Sequence, residues 1–103
     1  MKLKAVFTEA GQYDVRNATF WYESQSLGLG KQFIKSVRLA IKSIKNTPYG
    51  FAVRFGDFRA KPLNKFPFLL YYLIHEHTQL IIVFAVLHTR SNPLHIQERV
   101  DVD

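Results

Sequence analysis

Hydrophobic and polar positions change their period several times along this chain, and each change marks an element. Over residues 2–7, Leu3, Ala5 and Phe7 alternate with Lys2, Lys4 and Val6, the two-residue period of a short strand. Thr8 and Glu9 then offer a helix start: a hydroxyl to cap free backbone N–H groups and an acid in the first turn. This helix is predicted to run to about Gln25 and to bury Ala10, Val15, Ala18, Trp21 and Tyr22. Ser26-Leu27-Gly28 ends it, since Gly28 suits a left-handed position. Gly28-Leu29-Gly30 follows a helix and lacks the spacing of a phosphate cradle, so it reads as a tight turn between helices.

Residues 30–46 carry the clearest periodicity. Phe33, Val37, Ala40, Ile41 and Ile44 recur on one side of a helix, and Lys31, Lys35, Arg38, Lys42 and Lys45 on the other. Asn46-Thr47-Pro48 stops it, because Pro48 donates no hydrogen bond and restricts Thr47. The two helices are predicted to form an antiparallel hairpin. Residues 49–65 are less regular; a strand falls between Ala52 and Leu63, and Pro62 makes it an edge or interrupts it.

Two apolar runs, at residues 67–75 and 79–88, are joined by a short polar segment and read as a β-hairpin. Strict alternation sorts Phe68, Leu70, Tyr72 and Ile74 from Leu69, Tyr71, Leu73 and His75. It likewise sorts Leu80, Ile82, Phe84, Val86 and His88 from Ile81, Val83, Ala85 and Leu87. Both faces are apolar, which places this hairpin centrally in a sheet with helices over one face and something else over the other. Ser91-Asn92-Pro93 breaks regular structure, residues 94–100 read as a helical turn or a terminal strand, and the last residues as frayed. The expected order is β-α-α-β-β-β: one α+β domain over residues 1–103, a helix hairpin packed on one face of a small, mainly antiparallel sheet.

Composition changes this picture little. A 103-residue chain that is 48% hydrophobic is long enough to fold on its own core. Without cysteine it has no disulfides, no cysteine metal site and no thiol nucleophile. No apolar segment reaches the roughly 18 residues of a membrane helix, and the N-terminus lacks the apolar stretch of a signal peptide. A soluble, cytoplasmic protein without membrane association is expected.

Charge changes it more. The net charge of +6 is concentrated in residues 31–65, where Lys31, Lys35, Arg38, Lys42, Lys45, Arg54, Arg59, Lys61 and Lys65 face only Asp57. Such a block points to a polyanionic or acidic partner, against the plainer reading of a solvated face. The helix-two cations, with Arg54, Lys61 and Lys65, are the candidate nucleic-acid or target contacts. His75-Glu76-His77 sits on alternate faces or in a turn and makes no metal site, and no cofactor is expected.

At this point the chain resembles toxins of the RelE/ParE superfamily, the small toxins of bacterial toxin–antitoxin pairs also called plasmid stabilisation proteins. The resemblance covers nearly the whole chain. It rests on Asp14-Val15 and Trp21-Tyr22, on Gly28-Leu29-Gly30 with Phe33, and on Thr47-Pro48. It continues through Arg59 ahead of Leu63, Phe66-Pro67-Phe68 leading to Tyr71-Tyr72, and His88-Thr89-Arg90-Ser91-Asn92-Pro93. The resemblance implies a toxin restrained by a cognate antitoxin whose C-terminal segment wraps it, with Tyr71 and Tyr72 as core and partner contacts.

The superfamily divides by target, and the resemblance leans to the ParE-like branch, which acts on DNA gyrase. The alternative is a RelE-like, metal-independent, ribosome-dependent messenger RNA endonuclease, and a second is an inactive member that only binds antitoxins. Cutting RNA by its own 2′-hydroxyl requires a base, an acid and cations around the phosphorane. Arg59 and Arg90, with Lys61 nearby, are candidates for charge stabilisation, and His88 for acid or base, if the strands bring them together. The helix-two cations would then hold ribosomal RNA phosphates. The tyrosine or histidine usual near the C-terminal basic motif has only His95 as a counterpart, and Glu76 lies in the hairpin turn, away from Arg59 and His88.

Overall fold

The computed structural model describes residues 2–92 and 94–101, with the backbone alone at 94, 95, 100 and 101. Its order is β1 (Lys4–Phe7), α1 (Glu9–Gln25), α2 (Leu29–Asn46), β2 (Val53–Phe55), β3 (Phe58–Pro62), β4 (Phe68–His75), β5 (Leu80–His88) and α3 (Leu94–Asp101). The five strands form one sheet in the order β1-β5-β4-β3-β2, in which only the β1–β5 pair is parallel. Two points differ from expectation. The segment read as one strand folds back at Gly56, which takes φ +53°, into the pair β2–β3. The C-terminal segment is an eight-residue helix that continues through Asp101.

Local chemistry sets the helix ends. Thr8 caps α1, its Oγ1 accepting from the Gly11 N–H at 3.1 Å. Gly28 adopts φ +89° between the helices, and α2 has no side-chain cap of its own. Its free N–H groups are met from α1 instead: the Glu23 carboxylate accepts from Gly28 at 3.1 Å and from Gly30 at 3.0 Å. These bonds hold the Glu23 carboxyl below its usual pKa.

The hairpin α1–α2 covers one face of the sheet. Phe33, Val37, Ala40 and Ile44 of α2 pack on Leu70, Tyr72, Ile81, Val83 and Val86, with Tyr22, Phe66 and Phe68 in an aromatic cluster around Phe33. The opposite face carries a second, smaller core. There Ile96 of α3 is fully buried against Phe58, Ala60, Tyr71 and Ala85, with Phe84 and Leu87 packed around them. The face that the apolar pattern left unassigned is therefore covered by the chain's own last helix.

Strict alternation fails once, in β5. Tyr71 pairs with Ala85 and Tyr72 with Val83, so Phe84 is an extra residue, a β-bulge. Ile81 and Val83 face the helix hairpin before it, and Val86 faces the hairpin after it. Phe84, Ala85 and Leu87 all join the second core. The expected groupings of Val86 with Ile82 and Phe84, and of Ala85 and Leu87 with Ile81 and Val83, are corrected on this account.

Among the described residues no helix is long and apolar enough to cross a membrane.

Candidate functional site

The three candidate nuclease residues do not converge. Arg59 pairs across β3–β4 with Tyr72, whereas His88 pairs across β4–β5 with Phe68. The two positions are thus four residues apart along β4 and two strands apart across the sheet, roughly 13 Å by about 10 Å. Arg90 lies beyond His88, exposed, in the turn after β5. The expectation that His88 and Arg90 approach Arg59 is corrected: β4 lies between their strands.

Arg59, Lys61 and His88 each have local work. Arg59 Nη1 donates to the carbonyls of Phe51, at 2.8 Å, and Tyr49, at 3.2 Å, and its guanidinium lies 5.3 Å from the Tyr49 ring centre. The Tyr49 hydroxyl in turn donates to the Glu76 carboxylate, which raises the phenol's pKa. Tyr72 donates to the Pro48 carbonyl at 2.8 Å, and burial raises its pKa, against a smaller opposing effect of Arg59. Together they pin the loop that leaves α2 against the sheet end. Lys61 stays local as well, its Nζ bonded to the Pro62 carbonyl at 2.8 Å and 5.4 Å from the Phe51 ring centre.

His88 stands at the other end. Its ring meets Phe68 edge to face at 5.5 Å, and its Nδ1 accepts from the Arg90 N–H at 3.1 Å, so the neutral ring carries its proton on Nε2. It closes a groove of about 470 Å³ lined by Ala18, Trp21, Tyr22, Pro67 and Phe68. The walls are aromatic and apolar, suited to receiving a side chain or a small apolar group. The His95 side chain lies outside the described residues. Among those described, no group of three or more His, Asp or Glu is placed to hold a metal.

The surface divides by chemistry. Lys31, Lys35, Arg38, Lys42 and Lys45 are all exposed along α2, Arg54 is exposed on the edge strand β2, and Lys65 is exposed in the β3–β4 turn at φ 70°. On α1, Trp21 is 59% exposed, Phe20 73%, and Leu27 in the following turn 95%. Trp21 was expected in the core; it lies on the side of α1 that points past the sheet toward His88.

Of the core and partner contacts expected of them, Tyr71 and Tyr72 make the core ones: at 7% and 0% exposure they fill the second and first cores. Tyr71 does face away from the helix hairpin, as alternation requires, but it lies in the core that α3 closes.

The pattern also missed the one ion pair seen among the described residues. Asp14, buried on α1, is held by Arg99 of α3 through two bonds of 2.6 and 2.8 Å. Its Oδ2 also accepts from the Val86 N–H at 2.9 Å, while Arg99 Nη1 donates to the Phe84 carbonyl at 2.9 Å. The bond to Asp14 raises the Arg99 pKa. The available signal was an aspartate inside an amphipathic helix; its partner stands 85 residues away.

No protein-family model matches the sequence, and no curated protein matches it. In three dimensions the chain is similar to one described as "Chromosomal ParDE TA system from P. aeruginosa", with a TM-score of 0.65 at 13% identity, over 84% of this chain and 95% of that one. The likeness is one of fold: an α+β arrangement with a helix hairpin on a mainly antiparallel sheet.

Proposed function

We propose that this chain is the toxin of a bacterial type II toxin–antitoxin pair, of the ParE-like kind, which inhibits DNA gyrase and is restrained by a cognate antitoxin. The fold it shares with a ParDE chain supports the pair. The observation that carries the reading is the outer surface of the helix hairpin. Phe20, Trp21 and Leu27 stand in solvent on the helix hairpin, which also carries five exposed cations on α2, none of them in an ion pair among the described residues. A protein that acts by binding has a use for such a surface.

The wide separation of Arg59 from His88 weighs against the endonuclease alternative, because acid, base and charge stabiliser must all reach one phosphate. The face opposite the helix hairpin is also filled by α3 rather than open to a substrate. The test is gyrase supercoiling of relaxed plasmid with the purified chain, alone and after adding its antitoxin. Inhibition that the antitoxin relieves is the expected result. Undisturbed supercoiling at saturating protein, together with new messenger RNA ends in a translating extract, would replace this reading with the nuclease one. Growth unaffected by expression without any partner would point to an inactive antitoxin binder.

A further inference from the structure

We propose that the outer face of α2 is a binding site for the sugar-phosphate backbone of duplex DNA, a contact independent of whether the chain is a toxin. Lys31, Lys35, Arg38, Lys42 and Lys45 are all exposed, and α2 contains no acidic residue. Their spacing alternates between four and three residues, which keeps all five on the side opposite Phe33, Val37, Ala40 and Ile44. Over the roughly 21 Å from Lys31 to Lys45 a cation recurs about every 5 Å.

That arrangement works against the helix that carries it. Like charges three and four residues apart destabilise a helix, and four such pairs follow one another here. Internal electrostatics accounts for the two ends only. Lys45 sits in the last turn, where the helix dipole favours a cation, and Lys31 is near enough to Glu23 to help lower its pKa. Lys35, Arg38 and Lys42 form no ion pair among the described residues.

The chemistry of the stripe selects the partner. Protein interfaces are built on apolar anchors and are depleted in lysine at their centres. Four of the five cations here are lysine, the exposed aromatic side chains Phe20 and Trp21 belong to α1, and Leu39, the exposed large apolar side chain of α2, stands to one side of the row. A straight, single-sign row of flexible point charges matches instead a polymer of regularly repeated phosphates, read without regard to sequence. A duplex presents one phosphate per strand every 3.4 Å or so of its axis, dense enough for each cation to find one.

The experiment is fluorescence anisotropy of the full chain with labelled duplex DNA, duplex RNA and single-stranded DNA of one length, across a series of salt concentrations. Five phosphate contacts give a slope of log K against log salt of about −4.5 on duplex DNA and about −3.5 on a single strand. The double variant Lys35→Ala/Lys42→Ala lowers the duplex slope to about −2.7, while Lys4→Ala, an exposed cation on β1, leaves it unchanged. Duplex DNA is expected to bind most tightly, and tighter binding of duplex RNA or of the single strand overturns the assignment to duplex DNA. A slope indifferent to the double variant overturns the proposal. So does a poly-glutamate peptide of equal charge bound as tightly as the nucleic acids, which assigns the stripe to an acidic protein.

Discussion

Asp14 and Arg99 join the first helix to the last across the one stretch of sheet edge that β1 does not reach. β1 pairs with β5 only from Leu80 to Val83, although β5 continues to His88. Beyond Val83, the carbonyl of Phe84 and the N–H of Val86 are met by Arg99 and Asp14 in place of a strand. The ion pair thus satisfies backbone groups at a bulge and fixes α3 over the second core.

Removal of either partner is therefore expected to cost more than an exposed ion pair. Asp14→Ala strips the Val86 N–H of its acceptor and Arg99 of its counter-charge, a loss of roughly 2–4 kcal/mol. The double variant with Arg99→Ala should cost clearly less than the sum of the singles, because both remove the same interaction. Urea unfolding measures all three; strict additivity would mean that the two side chains act separately.

The same region shows what the sequence pattern could and could not carry. Helix α2, β4 and the Thr8 cap were legible because their signals are local: a period, a hydroxyl before an acid, a proline after a helix. The bulge at Phe84 was not, since one inserted residue in a wholly apolar strand leaves no mark on an alternation whose two faces are equally hydrophobic. Its consequence was to misplace Ala85, Val86 and Leu87. Trp21 was misjudged for another reason: hydrophobicity ranks residues for burial, but neighbours decide it. Among the described residues no element lies over the α1 side bearing Trp21, whereas Tyr71 is covered by α3. The separation of Arg59 from His88 followed from strand order, which pairing patterns along one chain do not encode.

Gly11 lets α1 lie directly on β5. A Cβ there would stand 2.7 Å from the Val83 carbonyl oxygen, which is backbone and already accepts from the Thr8 N–H at 3.0 Å. Gly11→Ala gains about 1 kcal/mol of helix propensity but must push α1 off the sheet, at typically 1–3 kcal/mol. A net loss of stability is expected in thermal unfolding. A variant with a raised Tm would show that the helix can shift freely.

Glu23 links the hairpin to pH. Its folded-state pKa is lowered below the ordinary 4.5, first by the Gly28 and Gly30 N–H groups and to a lesser degree by Lys31. The unfolded chain then takes up this proton more readily than the folded one. The contribution is complete at neutral pH and is lost as pH falls through the lowered value. Glu23→Gln is expected to depress Tm at about pH 7 and to converge on the wild type in acid, once the pH lies below the lowered value. A Tm difference that persists into acid would assign the effect to packing.

Arg59 is expected to behave as a structural residue. Arg59→Ala removes two donors from the loop carbonyls of Tyr49 and Phe51 and the charge beside the Tyr49 ring, which predicts a loss of about 1–2 kcal/mol. Hydrogen exchange at residues 49–51 should quicken with it. Unchanged stability and exchange, with cleavage of messenger RNA abolished, would restore Arg59 to a catalytic role.

Trp21 and Tyr72 should give opposite results in paired measurements of folding and binding. Tyr72 is wholly buried between the helix hairpin and the sheet, so Tyr72→Ala opens a cavity and is expected to cost roughly 3–5 kcal/mol. Trp21 touches Tyr22 edge to face at 5.1 Å but is otherwise largely in solvent, and Trp21→Ala should cost no more than about 1 kcal/mol. Its value lies in the aromatic groove it forms with Tyr22, Phe68 and His88. An interface anchor seated there contributes about 2 kcal/mol, so calorimetric titration with the cognate antitoxin should show about 30-fold weaker binding by the well-folded Trp21→Ala protein. Binding as tight as that of the wild type would move the antitoxin away from this groove, and a Trp21→Ala protein that fails to fold would return Trp21 to the core where its hydrophobicity first placed it.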